Sequence, residues 1–159
     1  MNNYDLIIVG AGPAGIFTAL EMLRKGSKKK VLIVEKGVSV EKRACPKAKT
    51  KVCMNCKPYC HITTGFSGAG AFSDGKLTTR IGDALCGFVT EVFLQHGAPA
   101  EIAWKQKPHV GTDLLRGVIT SIRKEIESLG GEVHFHTALT GFVRKDGRLV
   151  GVQTTQGSF

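Results

Sequence analysis

Residues 4–10, YDLIIVG, form a short unbroken apolar run that ends in glycine. Such a run suits a strand covered on both faces of a parallel sheet. From Pro13 to Lys25 the pattern changes period. Ile16, Ala19, Leu20 and Leu23 recur at helical spacing, and Gly26 stops the helix. VLIVE, residues 31–35, is a second buried strand. The three segments make a β-α-β unit.

Residues 37–80 show neither period, and a loop that long inside a compact domain is functional or disordered. A helix resumes near Asp83 and ends at Gly97, with Leu85, Phe88, Val89, Val92 and Phe93 on one face. Another is predicted over 112–129, with a stripe of Leu115, Val118, Ile119, Ile122, Ile126 and Leu129, closed by Gly130 and Gly131. A strand follows at EVHFH. LTGFVR and LVGVQT then flank KDG, where Asp146-Gly147 signals a hairpin. Gln156-Gly157 reads as the next turn, with Ser158 and Phe159 opening a third strand. The predicted fold is α/β, a Rossmann-like parallel sheet of the FAD/NAD(P)-binding type with a small antiparallel β appendage.

The turn between the first strand and helix is GAGPAG, which fills G-x-G-x-x-G with Gly10, Gly12 and Gly15. The first glycine makes the tight turn, the second lets the backbone approach a pyrophosphate, and the third lets helix and strand pack closely. Pro13 sits where its missing N–H costs little. The helix N-terminus offers N–H groups and a partial positive charge to phosphates. Glu35 closes the second strand twenty positions after Gly15, the spacing of the acid that binds a ribose hydroxyl pair. An acid there argues against a 2′-phosphate, leaving FAD or NAD. The place of this unit at the start of the chain favours FAD. So does the glycine-rich GFSGAGAFSDGK at 65–76, which can present backbone N–H groups to a pyrophosphate or a flavin ring. As a strand-terminal side chain, Glu35 is expected to lie outside the core, so that its removal weakens FAD binding and leaves the fold intact.

The segments YDLIIVGAGPAGIFTALEM, VLIVEKG, GFSGAGAFSDGKL, PHVGTDLL and LGGEVHF together resemble the poorly characterised FAD-dependent dehydrogenases, within the Rossmann-type flavoproteins. The resemblance covers nearly the whole chain, and GAGAFSDGKL is its most specific part. It implies an FAD-dependent oxidoreductase in which the flavin carries hydride or electrons and the substrate is a small molecule not given by the sequence. Members are much longer, so the resemblance implies that residues 1–159 are the N-terminal part of an FAD-binding domain. A Cys-rich loop is inserted at about 41–64, and the C-terminal remainder is absent. On that basis the chain alone is expected to be inactive and to hold FAD weakly or not at all. By matching motif, Gly10, Gly12, Pro13, Ala14 and Gly15 line the pyrophosphate, and Glu35 and Lys36 the adenosine ribose. Gly68, Ala69, Gly70 and Ser73 lie towards the flavin. Ala138 and Leu139 meet the adenine through backbone atoms.

Charge adds little. The net charge is +9, which admits a nucleic-acid partner. The lysines are scattered, though, and do not alternate with aromatics as a base-stacking surface would, which argues against one. No apolar run is long enough to span a membrane, and the N-terminus lacks a basic leader, so a cytoplasmic protein without a membrane partner is expected. NAD(P)H is a candidate electron donor, although no second G-x-G-x-x-G opens a β-α-β unit.

The spacing Cys45-x7-Cys53-x2-Cys56-x3-Cys60 leaves three readings open. It is a partial match to zinc and to iron–sulfur patterns. Lysines around the thiols favour thiolate and hence a redox pair. Reduced thiols in a loop are the third reading. A loop with Pro46, Pro58 and many lysines is expected to be the least rigid part of the domain unless metal orders it. Cys86 falls in a helix as a buried thiol. His109, just before the helix at 112, is a candidate acid/base near the flavin, against a helix-entry histidine without chemistry. Two further functions compete with the flavoenzyme: a four-cysteine metal-binding basic module contacting nucleic acid, and an NAD-binding dehydrogenase.

Overall fold

A computed structural model describes residues 3–73, 75–77, 82–105 and 108–159. β1 (Leu6–Val9) pairs in parallel with β2 (Val31–Val34), and β2 with β3 (Glu132–His134), in the order β1-β2-β3. The register sets Leu6 against Val31 and Leu32 against Glu132. Every residue of β2 is buried, as its apolar run requires. β1 differs from expectation. It lies at an edge of this sheet, its residues are half-buried, and Val9 is exposed at its end.

α1 (Pro13–Arg24) opens on the proline and buries Ile16, Ala19, Leu20 and Leu23, the face the spacing predicts. Lys25 caps its end, so the helix stops one residue short of expectation. Within 37–80 the structure holds short helical pieces that periodicity did not reveal: α2 (Lys47–Thr50) and 3-10 turns at Val40–Lys42 and Gly68–Phe72. α3 (Ala84–Gln95) starts where the side chain of Asp83 accepts the Leu85 N–H at 2.7 Å, an N-cap that satisfies a first-turn donor. Its buried positions are Val92 and Phe93, whereas Leu85 is exposed. α4 (Thr112–Ser128) buries Leu115, Val118, Ile119, Ile122 and Ile126. Leu129, the last member of the predicted stripe, lies past the helix end and is exposed.

The second sheet is antiparallel: β4 (Leu139–Lys145), β5 (Arg148–Thr154) and β6 (Gly157–Ser158) in that order. The hairpin turn has positive φ at both Asp146 (51°) and Gly147 (77°), the geometry for which this dipeptide is suited. Phe159 reaches back to the first sheet, 5.3 Å from the His134 ring and 6.1 Å from that of Tyr4.

α1, α4 and the cap of α3 are joined by one polar cluster. Arg24 donates two hydrogen bonds of 2.7 Å to the Glu125 carboxylate, and His96 of the α3 cap reaches the same carboxylate at 2.7 Å and Ser121 at 2.8 Å. The Arg24 hydrogen bonds hold Glu125 below the ordinary carboxylate range. A carboxylate depressed in the folded state contributes stability above its unfolded value, about 4.3, and that contribution is lost as pH falls through the folded value. Urea midpoints measured at descending pH should therefore drop below about pH 4.3. Glu125→Gln should flatten that part of the acid limb. An unchanged acid limb in Glu125→Gln would show that the cluster contributes nothing.

Candidate functional site

The phosphate turn is built by close packing. Gly10 has φ of +96°, which a side chain would strain. A Cβ placed on Gly15 would stand 2.2 Å from the Gly10 carbonyl oxygen and 3.1 Å from Ile8. The turn can thus close on β1 only with a glycine there. Gly10 N–H donates to Val34 at 2.8 Å, and Ile16 N–H donates back to Gly12 at 3.0 Å. The N–H groups of the first helical turn have no intrahelical acceptor by geometry, which leaves them facing the turn.

Glu35 departs from expectation. It is buried, and its carboxylate ties three separate backbones: Ala11 N–H to Oε2 at 2.9 Å, and Gly37 and Gly65 N–H to Oε1 at 2.8 and 3.1 Å. The view of it as a side chain outside the core is corrected. Glu35 joins the phosphate turn, the exit of β2 and the glycine-rich segment in one knot. Gly37 makes the knot possible, since a Cβ there would meet the backbone of Gly65 at 2.5 Å. Oε2 carries a single N–H bond, so it keeps capacity for a further donor.

A second anchor is Arg43, fully buried. Its guanidinium donates to the carbonyls of His61 (2.8 Å), Ile62 (2.6 Å), Phe66 (3.0 Å) and Gly68 (2.6 Å) and lies over the Phe72 ring at 4.7 Å. Burial pushes it down from its ordinary value, and the Glu35 charge opposes that shift. Arg116 of α4 donates to the carbonyls of Val40 and Arg43, fixing the same region to the helix layer.

Two hollows flank the turn. A cleft of about 440 Å³ is lined by Val9, Gly10, Val34, Glu35, Lys36, Tyr59, Thr137, Ala138 and Leu139. It lies at the carboxyl ends of β1 and β2, where open α/β sheets bind ligands. It gathers Gly10, Glu35, Lys36, Ala138 and Leu139 from three separate stretches of sequence. A second, mostly apolar hollow of about 410 Å³ is lined by Pro13 and Ala14 with Ser67, Gly70, Ser73, Gly75 and side chains of α1, α3 and α4. Gly70 and Ser73 thus stand beside the start of α1. Gly68 packs against the turn itself, its Cβ position 3.7 Å from Gly12 Cα. Ala69 is in the same 3-10 turn.

Tyr59 escaped the sequence reading. It comes from the Cys-rich loop and lines the first cleft, with Lys36 Nζ 5.1 Å from its ring centroid. Arg43 was also missed. Its signal was visible, as a lone arginine among lysines between 41 and 60, the residue whose rigid fork suits several carbonyls at once.

His109 is brought to neither hollow. It lines a separate pocket of about 210 Å³ with Glu101, Ile102 and Lys105, and its backbone bridges Lys76. Cys86 is in no disulfide and is half-buried in α3, where a buried thiol was expected. His134 pairs with Glu132 at 3.3 Å, and His136 lies beyond β3 with φ of +54°. Asp74, within GAGAFSDGKL, and residues 78–81, which follow it, lie outside the described residues. Among the described residues, no helix is long and apolar enough to cross a membrane.

Residues 5–44 match the FAD binding domain family, a span that includes the phosphate turn, Glu35, Lys36 and Arg43. An uncharacterized protein of Clostridium beijerinckii is 47% identical over 146 residues, which is 92% of this chain and 27% of that protein. The chain therefore spans about a quarter of that relative's length. Glycine oxidase from Bacillus cereus superposes with a TM-score of 0.57 at 14% identity, over 98% of this chain and 54% of that one. The 3-ketosteroid-delta4-(5alpha)-dehydrogenase of Rhodococcus jostii does so with a TM-score of 0.56 at 14% identity, over 96% and 42%. At such identities the shared property is the fold, the parallel sheet with its helices and antiparallel appendage. The glycine turn and its acid lie inside the span that matches the FAD binding domain family, on a Rossmann-type fold, and that match indicates FAD as the cofactor.

Proposed function

We propose that the chain is the nucleotide-binding part of an FAD-dependent oxidoreductase acting on a small molecule. The observation that carries this is the placement of two hollows on either side of one phosphate turn, the first bearing a buried acid. An extended dinucleotide needs that arrangement, with the adenosine in one hollow, the pyrophosphate over the turn and the isoalloxazine towards the other. Here Glu35 Oε2 accepts from the ribose, the first turn of α1 faces the phosphates, and Lys36 adds positive charge beside the ribose. Gly68, Gly70 and Ser73 border the path to the apolar hollow. FAD supplies hydride or electron transfer when bound, and this chain's residues hold and orient it. Five cysteines outside any disulfide fit a reducing compartment, and we place the protein in the cytoplasm.

Calorimetric titration tests the reading. FAD and ADP should compete for one site, whereas FMN should not displace ADP. ADP binding that FAD fails to displace, or a preference for a 2′-phosphorylated nucleotide, would sink it. Tyr59 gives a sharper check. As the cleft's aromatic wall beside Lys36, it should contribute about 1 kcal/mol of contact, so Tyr59→Ala should weaken ADP about fivefold. Tyr59→Phe, which keeps the ring, should bind ADP as the parent does. Equal affinities in all three proteins would remove Tyr59 from the site.

A further inference from the structure

Four of the five cysteines border one hollow. Cys45, Cys53, Cys56 and Cys60 line a space of about 230 Å³ together with His61 and Met54. It is separate from both hollows of the nucleotide site. None of the thiols is in a disulfide. Among the described residues, no group of three or more His, Cys, Asp or Glu is drawn close enough to hold a metal as it stands, so the thiols surround the space without converging. We propose that this hollow is a tetrathiolate site for one soft divalent ion, zinc or iron(II), closed when the Cys53–Cys56 segment folds over Cys45 and Cys60.

Three features of the chain support this. The first is the closure of the loop. Four thiols spread over sixteen residues converge at an entropic cost that is mostly that of bringing the loop ends together. Here the ends are already joined. Arg43 donates to the carbonyls of His61 and Ile62, and Ala44 N–H reaches His61 Nδ1 at 3.3 Å. Cys45 and Cys60 each stand one residue inside that clasp. The Cys53-x2-Cys56 knuckle needs only to fold over them.

The second is charge. The segment 45–60 carries Lys47, Lys49, Lys51 and Lys57 and no acid. That setting repels a hard cation and supplies no carboxylate to bind it. A divalent ion with four thiolates, by contrast, carries a net charge of about −2, which the four lysines complement. The third is ligand chemistry, since all-sulfur tetrahedral coordination selects zinc or iron over magnesium or calcium. Binding balances simply: four S–H bonds break, four metal–sulfur bonds form and four protons pass to solvent. No oxidant or reductant takes part.

The proposal does not depend on the flavin. It is tested on the full chain, reduced and freed of metal, by titration with cobalt(II). One equivalent should produce an intense thiolate-to-cobalt charge-transfer absorption and the visible bands of tetrahedral coordination. Zinc should abolish both, and binding should release protons into a weakly buffered solution. Cys53→Ser and Cys60→Ser should each weaken cobalt at least tenfold, whereas Cys86→Ser should match the parent. Elemental analysis of protein made without chelators should give close to one zinc or iron per chain. The parent titration decides the matter even if the serine variants fail to fold. Absence of the charge-transfer band in the parent, the weak bands of an octahedral ion, or full binding in Cys53→Ser and Cys60→Ser would overturn the proposal. Acid-labile sulfide accompanying iron would overturn it equally, because a cluster would then replace the single ion.

Discussion

Gly15→Ala is expected to destabilise the domain by about 3 kcal/mol and to weaken ADP binding at least tenfold, the scale of an overpacked core with a backbone atom as the obstacle. The added methyl would sit 2.2 Å from the Gly10 carbonyl oxygen. A flexible side chain could swing away, but this oxygen belongs to the phosphate turn. Gly10 N–H is fixed to Val34, and its φ of +96° leaves few alternatives. The clash therefore resolves by moving α1 away from β1, which carries the N–H groups of its first turn away from the phosphates. Stability and binding should fall together. Gly12→Ala is the control: its Cβ position meets nothing within 4 Å in the protein, so it should fold normally and lose affinity only by crowding the ligand. Urea unfolding and ADP titration of the two variants separate these effects. A Gly15→Ala protein with parent stability would mean that the approach of helix to strand is looser than it stands here.

The parts of this fold that sequence periodicity reveals are those held by apolar faces. Ile16, Ala19, Leu20 and Leu23 recur at helical spacing because they cover one side of the sheet, and all four are buried. VLIV reads as a covered strand because it is central in its sheet. β1 carries the same pattern but lies at an edge, and an apolar run does not distinguish the two. The segment 37–80 has no period because apolar stripes do not order it. Its geometry is set by Arg43 on four carbonyls and by Glu35 on three N–H groups, contacts between charged side chains and backbone that leave no repeat in the sequence. The same holds for the site. The juxtaposition of the glycine turn and Glu35 was legible from spacing alone, but Tyr59 enters the cleft from a loop whose path only the three-dimensional structure gives. Leu85 and Leu129 mark the opposite error, apolar residues at the right spacing whose helix ends lie beyond the core.

Glu35→Ala should unfold more readily than any surface variant of this chain, and it should lose the nucleotide as well. Removing the carboxylate leaves the N–H groups of Ala11, Gly37 and Gly65 without their acceptor in a buried place. Each such orphan costs about 1–3 kcal/mol, so a loss of about 3 kcal/mol is expected even if water enters the space. Arg43 suffers too, since the Glu35 charge is what opposes the effect of burial on its guanidinium. Glu35→Gln keeps one oxygen for Oε1's two donors but turns an NH₂ towards the Ala11 N–H, so it should fall between Ala and the parent in urea. The structural knot and the proposed ribose contact are then separated by ligand rather than by variant. If Oε2 accepts from a ribose hydroxyl, the parent should bind ADP tighter than ADP lacking its 2′ and 3′ hydroxyls, by roughly tenfold for a hydrogen bond to a charged group. In Glu35→Gln that preference should shrink towards none. A parent that binds both ligands equally would leave Glu35 as the knot of the fold alone. A Glu35→Ala protein as resistant to urea as the parent would refute the knot.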